Sequence, residues 1–238
     1  MTIADRLDCV LLSLDRALAR SERDRSGVML VAVSKKQPVT LMHEYLEAAT
    51  ARRLSVVFGE NYVQELKTKR SQFSQNQVFH LIGPLQSNKI RDAVRHADVI
   101  QSVHSLSVLQ GIADEAQKQG KQQRIFLQVN IGDDPNKSGF QSSEIPEILS
   151  QVAKHASSLS LVGLMTITPY YDEPEDARPD FTRMRRLKEE LQATALRDVF
   201  EGRNILLSMG MSADFHIAIE EGADVVRVGT ALFGERQA

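Results

Sequence analysis

Apolar residues fall into two rhythms along this chain. At the start they return every three or four positions, at Ile3, Leu7, Val10, Leu11, Leu14 and Leu18, which predicts an amphipathic helix. Beyond it they gather in short, nearly continuous runs rich in Val, Ile and Leu: MLVAVS (29–34), SVVF (55–58), VFHLI (78–82), VIQSV (99–103), RIFLQVN (124–130), LSLVGLM (159–165), ILLSM (205–209) and DVVRV (224–228). Helical patterns separate the runs. Among them are PVTLMHEYLEAAT, with Pro38 in the first turn, and DARPDFTRMRRLKEELQ, whose Phe181, Met184, Leu187 and Leu191 share one face. Strands this apolar are covered on both sides. Eight of them alternating with helices predict an α/β fold, a (β/α)8 TIM barrel with an extra N-terminal helix. The Pro- and acid-rich connection TPYYDEPEDARPD (168–180) is followed at once by a helical pattern, so it reads as a surface loop, and residues 1–238 are expected to form one domain.

Composition narrows the partners. Lys and Arg total 29 against 31 Asp and Glu, a formal net charge of −2, which leaves no global electrostatic footprint for nucleic acid or an anionic membrane. The basic run RMRRLK (183–188) alternates with apolar residues at helical spacing and reads as a solvated helix face. The single cysteine, Cys9, allows neither an intrachain disulfide nor a cysteine-based zinc site. The acid-bearing N-terminus does not resemble a signal peptide, and no apolar run reaches membrane-spanning length. A cytoplasmic, monomeric protein is expected.

In a barrel of this type, chemistry is built at the C-terminal ends of the strands. Those positions hold Lys35 and Lys36 after the first run, GENY (59–62, with Asn61) after the second, and GPLQSNK (83–89) after the third. NIGDDPNKSG (130–139) and MTIT (165–168, with Met165) follow the fifth and sixth. SMGMS (208–212) and RVGTALFG (227–234) end the chain's last two units. Glycines and hydroxyl residues cluster in these last two loops. Small residues let backbone amides approach a ligand, and amides with Ser or Thr hydroxyls suit an anion, often phosphate, after strands seven and eight. Taken singly, the same glycines could serve only tight turns.

A lysine at a barrel mouth with apolar neighbours loses hydration of its charged form, and its pKa falls toward the range where a neutral amine attacks an aldehyde. The alternative is a lysine at a strand end in solvent. Because side chains alternate along a strand, only one of Lys35 and Lys36 can enter the pocket. A phosphate site and a Schiff-base lysine in one cavity point to pyridoxal 5'-phosphate or to a phosphorylated sugar aldehyde. The six histidines show no metal-ligand spacing, His80 reads as a hydrogen-bonded interior group, and no GxGxxG, Walker A or GxSxG sequence is present.

Together AVSK, FGENYVQE, FHLIGPLQSNK, QVNIGDDPNKSGF, GLMTI and LSMGMSADFHIAIEEGADVVRVGTALFG, in this order from about residue 28 to 234, resemble the pyridoxal phosphate homeostasis protein family. That family is similar to the N-terminal barrel of bacterial alanine racemase. The resemblance implies a barrel that binds pyridoxal 5'-phosphate, with Lys35 as its Schiff-base partner and Arg227 facing the pyridine nitrogen. It also implies that Ser208, Gly210, Met211, Ser212, Gly229 and Thr230 lie around the phosphate, and that Asn61 and Met165 line the site. Lys36 and Gln37 stand where the family usually has a threonine and a second lysine, and nothing is carried onto residues 169–180.

Enzymes that form carbanions on this cofactor commonly place a carboxylate at the ring nitrogen, keeping it protonated and electron-accepting. A guanidinium there only donates, so the ring is a poor electron sink. The chain ends at Ala238, just after the eighth unit, so a second catalytic base from another domain is not expected. The resulting expectation is a protein that holds, buffers and delivers the cofactor, with apo forms of pyridoxal enzymes as recipients. The alternatives are a single-domain amino-acid racemase or a Schiff-base aldolase.

Overall fold

The computed structural model describes residues 1–134 and 137–235. Strands form at all eight apolar runs: β1 Met29–Val33, β2 Val57–Glu60, β3 Val78–Leu81, β4 Val99–Val103, β5 Gln123–Gln128, β6 Leu159–Met165, β7 Leu206–Ser208 and β8 Val225–Val228. Each pairs in parallel with the next, and β8 pairs with β1 to close the barrel. The helices are α1 Ile3–Arg20, α2 Val39–Ala51, α3 Val63–Arg70, α4 Ile90–His96, α5 Leu106–Lys118, α6 Ile145–Ala153, α7 Arg178–Gln192, α8 Phe215–Glu220 and the short α9 Thr230–Phe233. None of them, among the described residues, is long and apolar enough to cross a membrane.

Alternation along the strands divides the apolar residues between two cores. Val31, Val57, Val99, Phe126, Met165 and Val225 pack inside the barrel. Their neighbours Ala32, Phe58, Ile100 and Val226 face outward beneath the helices. In that outer layer Phe58 lies against Tyr45 and Phe79 with ring centroids 5.9 and 5.4 Å apart. Burying each such ring stabilises the fold by roughly 1.5–3 kcal/mol relative to leaving it exposed. The N-terminal helix starts at a reciprocal cap in which Thr2 Oγ1 accepts from the Asp5 amide while the Asp5 carboxylate accepts from the Thr2 amide. All six of its predicted apolar residues are buried, and it lies against α2, α8 and α9.

Several strand ends are trimmed by one residue, and three boundaries differ from the pattern in ways that have a physical reason. The second strand runs from 57 to 60 instead of 55 to 58, so Gly59 and Glu60 are strand residues. A glutamate is tolerated there because Ser34 and Lys69 bond its carboxylate. The fifth strand ends at Gln128, since Val129 and Asn130 turn to bridge the returning Phe140. Pro38 stands one position before the first residue of α2, at its N-cap. The connection at 168–180 is also more ordered than a plain loop: Tyr171 packs on the core, and its hydroxyl donates to the buried Asp180 carboxylate at 2.9 Å.

Candidate functional site at the barrel mouth

Two positions beyond the interior apolar residues, the strands turn polar. His80 follows Val78, Gln101 follows Val99, Ser208 follows Leu206 and Arg227 follows Val225, so all four project inward, nearer the C-terminal end. They form one directed chain. Arg227 Nη1 donates to Ser208 Oγ at 2.7 Å, Ser208 Oγ donates to Gln101 Oε1 at 2.6 Å, and Gln101 Nε2 meets His80 Nδ1 at 2.7 Å. An amide nitrogen only donates, so His80 Nδ1 accepts and the ring carries its proton on Nε2. Burial pushes the His80 pKa from 6.5 to about 3, with the Arg124 charge adding to the effect, and the ring is neutral.

Arg227 is the charged end of this chain. It is 4% exposed, and its Nη2 donates to the Thr166 carbonyl at 2.7 Å. Both hydrogen bonds found for its guanidinium among the described residues go to neutral oxygens. Burial lowers its pKa to about 10, against the opposing pull of Asp214, so it remains a cation at neutral pH.

The loops after β7 and β8 meet above it. The Arg227 amide donates to the Gly210 carbonyl at 3.0 Å. The amides of Gly229 and Ala231 converge on Ser212 Oγ at 3.0 and 3.4 Å. Two amides aimed at one oxygen make a small anion-type concavity. Gly210 is required at its edge: its φ is +89°, and an added Cβ would lie 2.5 Å from the Ala218 Cβ. The Asp214 carboxylate accepts from the Met211 amide at 2.6 Å, while the Met211 side chain is exposed. Thr230 is exposed at the rim.

Gly229 abuts the end of β1, since a Cβ on it would sit 3.4 Å from the Val33 carbonyl. Lys35 follows two residues later and is half-buried, whereas Lys36 is exposed with a left-handed backbone, φ +59°. Asn61, half-buried after β2, is backed by Gly83 so closely that a Cβ there would lie 2.4 Å from the Asn61 carbonyl. Met165 closes the floor as part of the interior apolar cluster. Of the sequence-predicted residues, Ser212, Gly210, Gly229 and Thr230 gather at the concavity, and Lys35 lies beside it. Ser208 instead points down the barrel to Gln101 and Arg227.

Residues outside the predicted set also stand here. Lys137 Nζ donates to the Thr168 carbonyl, and burial holds its pKa below the usual lysine value. A cavity of about 250 Å³ opens beside it, bordered by Ile167, Tyr171, Met211 and Asp214. Its position in the NIGDDPNKSG loop was the signal that could have found it; Pro135 and Asn136 of that loop lie outside the described residues. Among the described residues no group of three His, Cys, Asp or Glu side chains is placed to hold a metal ion.

A parallel barrel with an inward arginine on its last strand, a glycine-lined concavity above it and a lysine after its first strand defines a barrel of the alanine racemase N-terminal class. The family model for the alanine racemase N-terminal domain matches residues 16–237. The chain belongs to the pyridoxal phosphate homeostasis protein family: it is 34% identical over 238 residues to the member from Aquifex aeolicus, covering all of both chains. PipY of Synechococcus elongatus has been solved without and with pyridoxal phosphate bound. It is 32% identical, with TM-scores of 0.80 and 0.79, over 98% of this chain and 100% of PipY. An alanine racemase from Bartonella henselae shares the fold alone, with 11% identity and a TM-score of 0.68 over 95% of this chain and 60% of the racemase.

Proposed function

We propose that the chain binds pyridoxal phosphate at this mouth and holds it for delivery to other proteins, without substantial turnover of its own. One juxtaposition carries this reading: a buried guanidinium bonded, among the described residues, to neutral oxygens, between a concavity of converging amides and the turn bearing Lys35. The donor set suits the cofactor, which when bound would supply an aldehyde for covalent attachment and a ring that accepts electrons only once its nitrogen is protonated. The amides of Gly229 and Ala231 take its phosphate in place of the Ser212 hydroxyl they now meet, with the Ser212 and Thr230 hydroxyls and the Gly210–Met211 backbone around it. The Lys35 amine takes its aldehyde, Met165 and Asn61 bound the space for the ring, and Arg227 faces the ring nitrogen. Ser208 acts from beneath, through Arg227.

Arg227 also accounts for low turnover. A cation held by a serine and a carbonyl has protons to give and none to accept, so it leaves the ring nitrogen unprotonated. That removes the pyridinium which carbanion chemistry uses. The PipY structure with pyridoxal phosphate supports cofactor binding at this identity level. The test is to incubate loaded protein with an apo-enzyme and a trap for free cofactor, and to follow deuterium exchange at the α-position of a panel of amino acids. Transfer past the trap with negligible exchange is the expected result. Rapid exchange or racemisation would make the chain an enzyme instead.

A further inference from the structure

Behind the turn that carries Lys35, on the helix side of the barrel wall, lies a buried charge cluster that no binding role yet uses. Lys69, in the last turn of α3, is 6% exposed. Its Nζ donates to the Ser34 carbonyl at 2.7 Å, to Glu60 Oε1 at 2.8 Å and to Glu65 Oε2 at 2.8 Å, which fills all three ammonium donors. The two carboxylates reach the same turn independently. Glu60 Oε1 accepts from Ser34 Oγ at 2.6 Å, and Glu65 Oε2 accepts from the Lys36 amide at 2.7 Å. The residues on either side of Lys35 are therefore each tied to the cluster, Ser34 by carbonyl and hydroxyl, Lys36 by amide.

The arrangement is costly, which argues against an incidental contact. Glu60 is fully buried, its Oε2 finds no hydrogen-bond partner among the described residues, and burial raises its pKa against the lowering pull of Lys69. Removing one member of a buried ion pair is strongly destabilising, yet apolar replacement of the whole pair is often neutral, so bulk stability does not require charges here. What the charges do locally is hold Lys36 in a left-handed conformation, unusual for a residue with a side chain. With Lys36 so turned, its side chain stays outside, and of the two adjacent lysines the half-buried Lys35 is the one left at the mouth.

We infer that Lys69, together with Glu60 and Glu65, is a positioning residue for Lys35: it fixes the Ser34–Lys36 turn so that the Lys35 amine is presented to an aldehyde held at the mouth. The inference rests on the proposed attachment of pyridoxal phosphate at Lys35. Misplacing a reacting group by about 1 Å can cost on the order of a hundredfold in rate, whereas among the described residues Lys69 shares no hydrogen bond with the amide concavity.

Three variants test this: Lys69→Met; the pair Lys69→Met with Glu60→Gln, which leaves no lone buried charge; and the milder Glu65→Ala, at a residue that is partly exposed. Stopped-flow absorbance follows attachment of pyridoxal phosphate, borohydride trapping with peptide mapping locates it, and titration with pyridoxamine 5'-phosphate, which has no aldehyde, reads the phosphate site alone. The expected result is attachment at Lys35 slowed by about tenfold or more in the Lys69 variants, and less so in Glu65→Ala, with pyridoxamine 5'-phosphate affinity unchanged. Unchanged attachment rates in the folded variants would overturn the inference while leaving the proposed function intact, as would equal losses of attachment and of pyridoxamine 5'-phosphate affinity. A wild-type protein that acquires no adduct on Lys35 would overturn both.

Discussion

Acid should unfold this protein partly through one imidazole. His80 is 3% exposed, and its Nδ1 is committed to accepting from Gln101, so protonating it puts a charge and a second donor where an acceptor is needed. Its pKa is about 3 in the fold against 6.5 for a free imidazole. Below pH 6.5 the unfolded chain therefore binds a proton that the folded chain refuses, and stability falls as pH falls, until the folded ring itself titrates near 3. At 1.36 kcal/mol per unit, lowering pH from 7 to 5 should cost about 2 kcal/mol through this residue alone. His80→Asn places a carbonyl oxygen close to the Nδ1 position and does not titrate. Glu60, with its raised pKa, shifts stability in the opposite sense, but it does so equally in both proteins and cancels in the difference. Urea unfolding at half-unit steps between pH 7 and 5 should give curves that converge by about 2 kcal/mol, the wild type losing more. Parallel curves, within about 0.5 kcal/mol over the whole range, would mean that His80 is not held neutral and that the directed chain to Arg227 is drawn wrongly.

Ser208→Ala leaves both the Arg227 Nη1 donor and the Gln101 Oε1 acceptor without their partner in the barrel interior, so a loss of about 2–5 kcal/mol is expected in urea unfolding. Adding Gln101→Leu removes the Oε1 orphan but takes the donor from His80 Nδ1, so the double variant should lose less than the sum of the two single losses; strict additivity would argue against the chain. Thr230→Val should weaken pyridoxal phosphate binding by roughly tenfold, with pyridoxal affected far less, since a hydrogen bond to a charged group is worth about 1.5–3 kcal/mol. Equal losses for both ligands in a fluorescence titration would remove Thr230 from the phosphate site.

Much of the fold is legible in the chain because closed parallel barrels impose a blunt pattern. Strands buried on both faces read as unbroken apolar runs, and VIQSV is recovered residue for residue as β4. The same pattern places Lys35, Asn61, Arg227 and the SMGMS and VGT loops at one end of the barrel, since order along parallel strands fixes which end a loop occupies. Long-range compensation is what the pattern hides. Glu60 reads as part of the GENY loop after the second strand, and nothing in VQELKTKR marks Lys69 as the cation that keeps Glu60 buried in that strand; only the pairing in space does so. Ser208 shows the same limit. Its place in SMGMS suggested a phosphate ligand, but the strand's alternation turns its hydroxyl down toward Arg227, leaving Ser212 to meet the amides of the concavity. Asp180, in an acid-rich stretch that reads as solvated, is buried because Tyr171 and Arg183 bond its carboxylate.

The central claim is that this barrel holds pyridoxal phosphate through Lys35. Protein saturated with the cofactor, reduced with borohydride and digested, should carry one reduced pyridoxyl phosphate on the peptide containing Lys35, and Lys35→Ala should carry none there and lose the visible absorbance band. Incorporation on Lys36 or another lysine, or a wild-type protein that takes up no cofactor at all, would contradict it.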